Sequence, residues 1–193
     1  MDAFLASTLA VTIAEIGDKT QLLSLFLVCR FAKRTPIVLG ILVATLLNHA
    51  LSALLGVWLA KVIPASWLPW IVAASFIGIA LWLLIPDKDD SESSGLLRFG
   101  AFTATTLMFF IAEIGDKTQI ATVVLAARYE ETVWVILGTT AGMLLANIPI
   151  IWAGRWLMDR LPLAAARLLA CALFIVLGVL TIWGAYNGIS LSP

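Results

Sequence analysis

Glu15 and Asp18 stand three residues apart in the stretch Ile13-Ala14-Glu15-Ile16-Gly17-Asp18-Lys19-Thr20-Gln21. Glu113 and Asp116 repeat that spacing in an identical stretch running from Ile111 to Gln119. On a regular helix an i, i+3 pair shares one side, so each copy would present two carboxylates together. Thr20, Gln21, Thr118 and Gln119 offer neutral oxygens one turn further along. Every strong candidate donor is oxygen. That suits hard cations such as calcium, manganese or magnesium better than zinc or copper, which favour imidazole and thiolate. Lys19 and Lys117 each follow their Glu at i+4, the favourable order for an ion pair on a helix. Four carboxylates and two lysines leave a formal charge of −2 (−4 + 2), which one divalent cation or two protons would neutralise. Crowded acids in a low-dielectric site repel one another, and protonation relieves that repulsion. Metal and protons would therefore compete for one set of oxygens, which is how an antiporter couples two ions.

These residues must be held somewhere, and the composition says where. The chain has 193 residues, 62% of them hydrophobic, eight tryptophans and a mean hydropathy of +1.04, which places it among membrane proteins. A formal charge of zero leaves no basic footprint for nucleic acid. Cys29 and Cys171 have neither zinc spacing nor a secreted disulfide pattern and read as unpaired. Met1-Asp2 lacks a basic leader, and Glu15, Asp18 and Lys19 interrupt the apolar run, so the first segment reads as a retained helix rather than a signal peptide.

Six apolar segments are long enough to cross a bilayer: Phe4 to Val28, Ile37 to Leu59, Trp67 to Ile85, Phe99 to Ala127, Val133 to Ala153 and Leu168 to Tyr186. The predicted fold is an all-α membrane protein of six transmembrane helices arranged as two inverted three-helix repeats. Repeat one covers 1–86, a hydrophilic cytoplasmic linker 87–98, and repeat two 99–193. The duplication extends beyond the motif at the same offset of 98 (113 − 15): Arg30 matches Arg128, Gly40 matches Gly138, Gly56 matches Gly154, Trp58 matches Trp156, Pro64 matches Pro162 and Phe76 matches Phe174. An odd number of spans per repeat forces opposite orientations. Loop charges agree, with Arg30, Lys33, Arg34, Lys88, Arg98, Arg155, Arg160 and Arg167 on one side and only Lys61 and Arg128 on the other. The basic side should be cytoplasmic, with both termini outside. Glu15 falls eleven residues into its span, about 17 Å deep. Ionisable groups at that depth are expensive and mark ion pathways.

Weaker candidates lie nearby. Asn48 and His49 fall midway along the second span, and Asn147 with Pro149 midway along the fifth. The asparagines are candidate ligands or ligand supports, and His49 is a candidate proton relay or simply a hydrogen-bonded interior residue. Pro149 frees a carbonyl that something must satisfy. Met108 reads as a core- or lipid-facing residue, with a soft metal contact as the alternative. Gly17 and Gly115 are expected first to admit close helix packing, and second to break the helix and free carbonyls for the ion. Trp58, Trp67, Trp70, Trp134 and Trp156 cluster at span ends as interfacial anchors.

The doubled Glu-x-Gly-Asp-Lys-Thr resembles the signature of a family of cation/proton antiporters built from two inverted three-helix repeats. Its members move manganese and calcium, and the chain looks similar over its full length to bacterial manganese exporters of the MneA type. The resemblance implies that Glu15, Asp18, Glu113 and Asp116 form the cation site, with Lys19, Thr20, Lys117 and Thr118 completing the matched positions. It implies Mn2+, or Ca2+, as transported substrate, H+ as counter-ion and no prosthetic group. It also implies a multi-pass protein of the bacterial inner membrane, whose partners are divalent metal ions and lipid, with homo-oligomerisation left open. Rival readings are a passive divalent-cation channel, an intramembrane enzyme using a carboxylate pair, and an exporter of small organic solutes. The full-length duplication argues against an enzyme, which needs one catalytic centre. The concentration of polarity at mid-depth suits an occluded site better than a pore.

Overall fold

The structure is a computed structural model describing residues 2–31, 33–85, 94–129, 131–154, 156 and 163–187. Among these the chain forms eight α-helices: α1 (Asp2–Glu15), α2 (Lys19–Arg30), α3 (Arg34–Val62), α4 (Leu68–Leu83), α5 (Ala101–Glu113), α6 (Lys117–Arg128), α7 (Thr132–Ala153) and α8 (Leu163–Tyr186). A 3-10 turn, Ser94–Phe99, leads into α5. It covers the end of the expected 87–98 linker, whose earlier part lies outside the described residues, as do Lys88, Arg155, Arg160 and Pro162.

By length and apolar character α3, α7 and α8 can each cross a membrane, whereas α4 and α5 are shorter apolar helices. The expected first and fourth spans are not continuous. Each divides at its motif, into α1 and α2 and into α5 and α6. The expected second span lengthens to 29 residues, with Pro36 in its first turn and Pro64 just past its end, where proline does least harm and continues no helix.

Burial is inverted relative to a water-soluble protein. On α3, Asn48, His49 and Ser52 are buried, while Leu47, Leu51 and Leu54 are exposed at 51%, 59% and 60%. An apolar solvent rewards that arrangement, and water does not.

The helices of the two halves interleave. α1 packs on α7, and its counterpart α5 packs on α3; α4 packs on α8. The α1–α7 and α3–α5 crossings depend on matched glycines. A Cβ on Gly138 would meet the Phe4 carbonyl oxygen at 2.6 Å, and one on Gly40 would meet Thr105 Cβ at 2.7 Å and the Phe102 carbonyl oxygen at 2.9 Å. Small residues here let the backbones touch, the main source of helix association in lipid. The α1–α7 contact is tied further by Thr8 Oγ1, which donates to the carbonyls of Phe4 (2.7 Å) and Gly138 (3.1 Å). Phe76 on α4 and Phe174 on α8, equivalent under the repeat, pack with ring centroids 5.9 Å apart. Met108 is buried in an apolar cluster with Phe109, Ile37 and Ile41, which residues of α1, α2 and α7 complete.

Candidate metal centre

Gly17 and Gly115 have φ of +85° and +75°. L-residues avoid that region, and glycine enters it without steric cost. The first expectation for these glycines, close helix packing, is therefore corrected. A Cβ on Gly115 would have nothing within 4 Å, and the residue's work is to stop one helix and start another. The break is built alike in both halves. The Asp18 N–H donates to the Glu15 carbonyl at 3.1 Å, as the Asp116 N–H does to Glu113 at 3.1 Å. The Gly17 N–H donates to Gln21 Oε1 at 2.8 Å, and the Gly115 N–H to Gln119 Oε1 at 2.7 Å. The two glutamine oxygens, expected to face the ion, are thus engaged in closing the break. Gln21 Nε2 also donates to the Ala146 carbonyl (2.9 Å), three residues before Pro149 on α7.

The break changes what the motif presents. Glu15 and Glu113 end α1 and α5, whereas Asp18 and Asp116 are the N-cap residues of α2 and α6. Residues expected side by side on one regular helix instead flank a junction between two half-helices. Aspartates there lie beside helix N-termini, whose amide N–H groups favour negative charge, and the glutamates beside helix C-termini that favour a cation.

All four acids are buried, with Glu15 and Glu113 at 0% exposure, Asp116 at 4% and Asp18 at 6%. Among the described residues, Glu15, Glu113 and Asp116 each bring one carboxylate oxygen to within 4.8 Å of the others. Asp18 is not part of that triad. Two oxygens on opposite sides of an ion with bonds of ~2.4 Å are ~4.8 Å apart, so the triad can close on one divalent ion with little movement. Glu15 Oε1 and Glu113 Oε1 have no hydrogen-bond partner among the described residues. Buried carboxylate oxygens rarely go unsatisfied without reason. Their other oxygens are steadied: Thr20 Oγ1 donates to Glu15 Oε2 at 2.6 Å, and Thr118 Oγ1 lies 3.3 Å from both Glu113 Oε2 and Asp116 Oδ2.

The lysines depart from the sequence expectation of i+4 pairs. Lys19 Nζ lies 3.1 Å from Asp116 Oδ1 in the opposite motif, and Lys117 Nζ donates to the Ile85 carbonyl at 3.0 Å. With the helix broken, the i+4 register that would have brought each lysine to its own glutamate no longer exists.

Of the mid-span candidates, Asn48 Nδ2 donates to the Phe110 carbonyl at 3.1 Å, and its buried Oδ1 has no partner among the described residues. Asn147 Oδ1 accepts from Ser24 Oγ at 2.7 Å, and its Nδ2 donates to the Met143 carbonyl at 3.1 Å. Asn147 therefore ties α2 to α7, which is a support. His49 is fully buried, and neither ring nitrogen has a hydrogen-bond partner among the described residues. Sequence reasoning passes over Ser24 and Phe110. A hydroxyl in a polar motif helix hints at the first, and nothing at the second, which takes part through its backbone carbonyl.

The family profile described as "Divalent cation/proton antiporter GDT1" matches residues 3–91 and again residues 101–189. A Vibrio cholerae protein named "Putative manganese exporter" is 48% identical over 182 residues, covering 94% of this chain and 90% of its own length. A GDT1-like protein of Synechocystis is 26% identical over 208 residues, with 95% of this chain and 98% of the relative covered. GDT1-like protein 5 of Arabidopsis thaliana is 25% identical over 217 residues, covering 93% and 94%. No solved structure matches the chain. With its doubled acidic motif, its lipid-suited helices and a profile match over both halves, the chain belongs to the GDT1 family of divalent cation/proton antiporters, membrane transporters rather than enzymes.

Proposed function

We propose that the chain exports Mn2+ from the cytoplasm of a bacterium across the inner membrane in exchange for protons. The ion would bind at a midplane site shared by two inverted repeats, 1–86 and 99–193. The observation that carries this reading is the triad of Glu15 from one half with Glu113 and Asp116 from the other, buried and within 4.8 Å of one another. A carboxylate cluster that protons can neutralise as well as a metal is the chemical requirement for exchange. Asp18 completes the charge of the site, Thr20 and Thr118 orient the glutamates, and Asn48 Oδ1 is a further oxygen.

Six crossings follow when α1 with α2, and α5 with α6, each count as one broken span. Broken helices meeting at mid-depth are a recurrent way to bind ions between inverted repeats. The reciprocal packing of α1 on α7 and α5 on α3, with Phe76 against Phe174, supports a two-fold relation of the halves. The excess of Lys and Arg on one set of loops supports a cytoplasmic linker and outward termini. Manganese is favoured over calcium because the Vibrio cholerae relative is named for manganese export. The test is metal-driven proton flux in vesicles reconstituted with the full chain. Mn2+ should drive proton movement more strongly than Ca2+ or Mg2+, and Mn2+ flux without any proton movement would refute exchange.

A further inference from the structure

Arg128 ends α6 as Arg30 ends α2, at matched places in the repeat (128 − 98 = 30), yet the two guanidinium groups have different surroundings. Arg128 Nη1 donates to the Leu177 carbonyl of α8 at 3.1 Å and to Thr181 Oγ1 one turn further along. The Thr181 hydroxyl donates its own proton to the Leu177 carbonyl at 2.7 Å, so toward Arg128 it acts as an acceptor. The same guanidinium lies 6.0 Å from the ring centroid of Phe76 on α4. One side chain thus joins α6 to both α4 and α8. Arg30 is exposed and lies over the ring of its neighbour Phe31.

The helices that carry these arginines are seated differently as well. A Cβ on Gly56 of α3 would collide with the Val123 carbonyl oxygen of α6 and come within 3.1 Å of Ala126 Cβ. At the matched crossing of α7 with α2, a Cβ on Gly154 would have Leu25 Cδ1 as its nearest neighbour among the described residues, at 4.0 Å. Leu25 is the counterpart of Val123 (123 − 98 = 25). Val124 on α6 is 6% exposed, whereas its match Phe26 on α2 is 42% exposed. Exchanging the conformations of two inverted repeats generates the opposite-facing state, in which Arg30 would take the seat that Arg128 has here. Position 83 then replaces position 181, and it holds Leu83, whose side chain has no oxygen to accept from a guanidinium. The two end states are therefore unequal: one contains a charge-assisted hydrogen bond that the other cannot form.

We propose that the Arg128–Thr181 contact is a latch that closes the outer face and sets the resting transporter with its site toward the cytoplasm, where an exporter must load. This rests on the reading of the chain as two inverted repeats with outward termini, and the experiment separates the two. Full-length chains first carry Cys29→Ser and Cys171→Ser, then one reporter, Val123→Cys at the outer crossing or Leu25→Cys at the inner one. A membrane-impermeant maleimide is added to intact cells or to inside-out vesicles, and labelling rates are measured. Loss of a hydrogen bond to a charged group shifts a two-state equilibrium about tenfold. Thr181→Val should therefore speed labelling at position 123 about tenfold, while position 25 is not labelled faster. Thr181→Ser, which keeps the hydroxyl, should label as the parent does. An unchanged rate at position 123 in Thr181→Val overturns the latch, as does an equal rise in Thr181→Ser or a rise at both reporters, which would mean general loosening. The parent reporters should label from opposite faces. Labelling of both from one face would overturn the inverted-repeat reading and the sided latch with it, whereas opposite faces with no response to Thr181→Val sinks the latch alone.

Discussion

Gly115→Ala tests the helix break without touching a ligand. Gly115 sits at φ +75°, and a Cβ there would have nothing within 4 Å, so the methyl group itself meets no obstacle. The cost is conformational. An L-residue in left-handed backbone loses about 1–2 kcal/mol, and alanine gains about 1 kcal/mol over glycine by continuing a helix. The variant is therefore biased by about 2–3 kcal/mol toward an unbroken α5–α6. In that form the Gly115 N–H leaves Gln119 Oε1 and Asp116 rotates away from the junction with Glu113. If the broken form is held by less than this, the binding-competent fraction falls and Mn2+ affinity drops, with the full bias setting an upper limit of about 30- to 150-fold. If it is held by more, the strain of about 1–2 kcal/mol stays in the fold and lowers the unfolding midpoint. The assay pairs Mn2+ titration with thermal unfolding in the same detergent. Wild-type affinity together with a wild-type midpoint would refute the assignment of the break to this glycine.

Glu15→Gln and Asp116→Asn should each abolish Mn2+ transport while the protein still inserts and purifies as wild type, checked by vesicle flux beside expression in membranes; activity in either removes that residue from the site. Gly40→Ala and Gly138→Ala should destabilise the fold by about 1–3 kcal/mol through overpacking, because their Cβ atoms would fall 2.6–2.9 Å from the facing helix; unfolding midpoints read this directly, and an unchanged midpoint in both would mean the crossings tolerate separation. Thr20→Val removes the 2.6 Å donor to Glu15 and should weaken Mn2+ binding by about tenfold, as loss of a hydrogen bond to a charged group does; Mn2+ titration checks this, and wild-type affinity would mean that Thr20 does not orient Glu15. Mn2+ affinity of the intact chain should fall as pH is lowered, since protons take the oxygens the metal needs; proton release measured on Mn2+ addition in weak buffer checks the sign, and no release would contradict shared occupancy.

The second and fifth spans are legible because their apolar runs are long and uninterrupted, and α3 and α7 fall where the sequence puts them, within three residues at each end. The sixth starts earlier than expected, at Leu163 rather than Leu168, because a helix continues through a basic residue near its end and Arg167 is no boundary. The first and fourth read as continuous in the sequence and are not. A glycine within an apolar helix is compatible with packing or with a break, and composition weighs both the same. Only φ separates them.

What the sequence determined by itself is the candidate donor set: two identical motifs, their candidate donors all oxygens, placed far into apolar runs and repeated at a constant offset, which gives two related halves and the expectation of a hard cation. Tertiary structure decided which donors meet. The motifs are letter-identical, so no pattern in them could say that Asp116 completes the triad with both glutamates, or that Lys19 reaches across to Asp116 and Lys117 to the Ile85 carbonyl. Those choices follow from how α1, α2, α5 and α6 pack against α3 and α7, contacts between residues a hundred or so positions apart. Identical local sequences hold different partners because partner choice is a property of the packing around them.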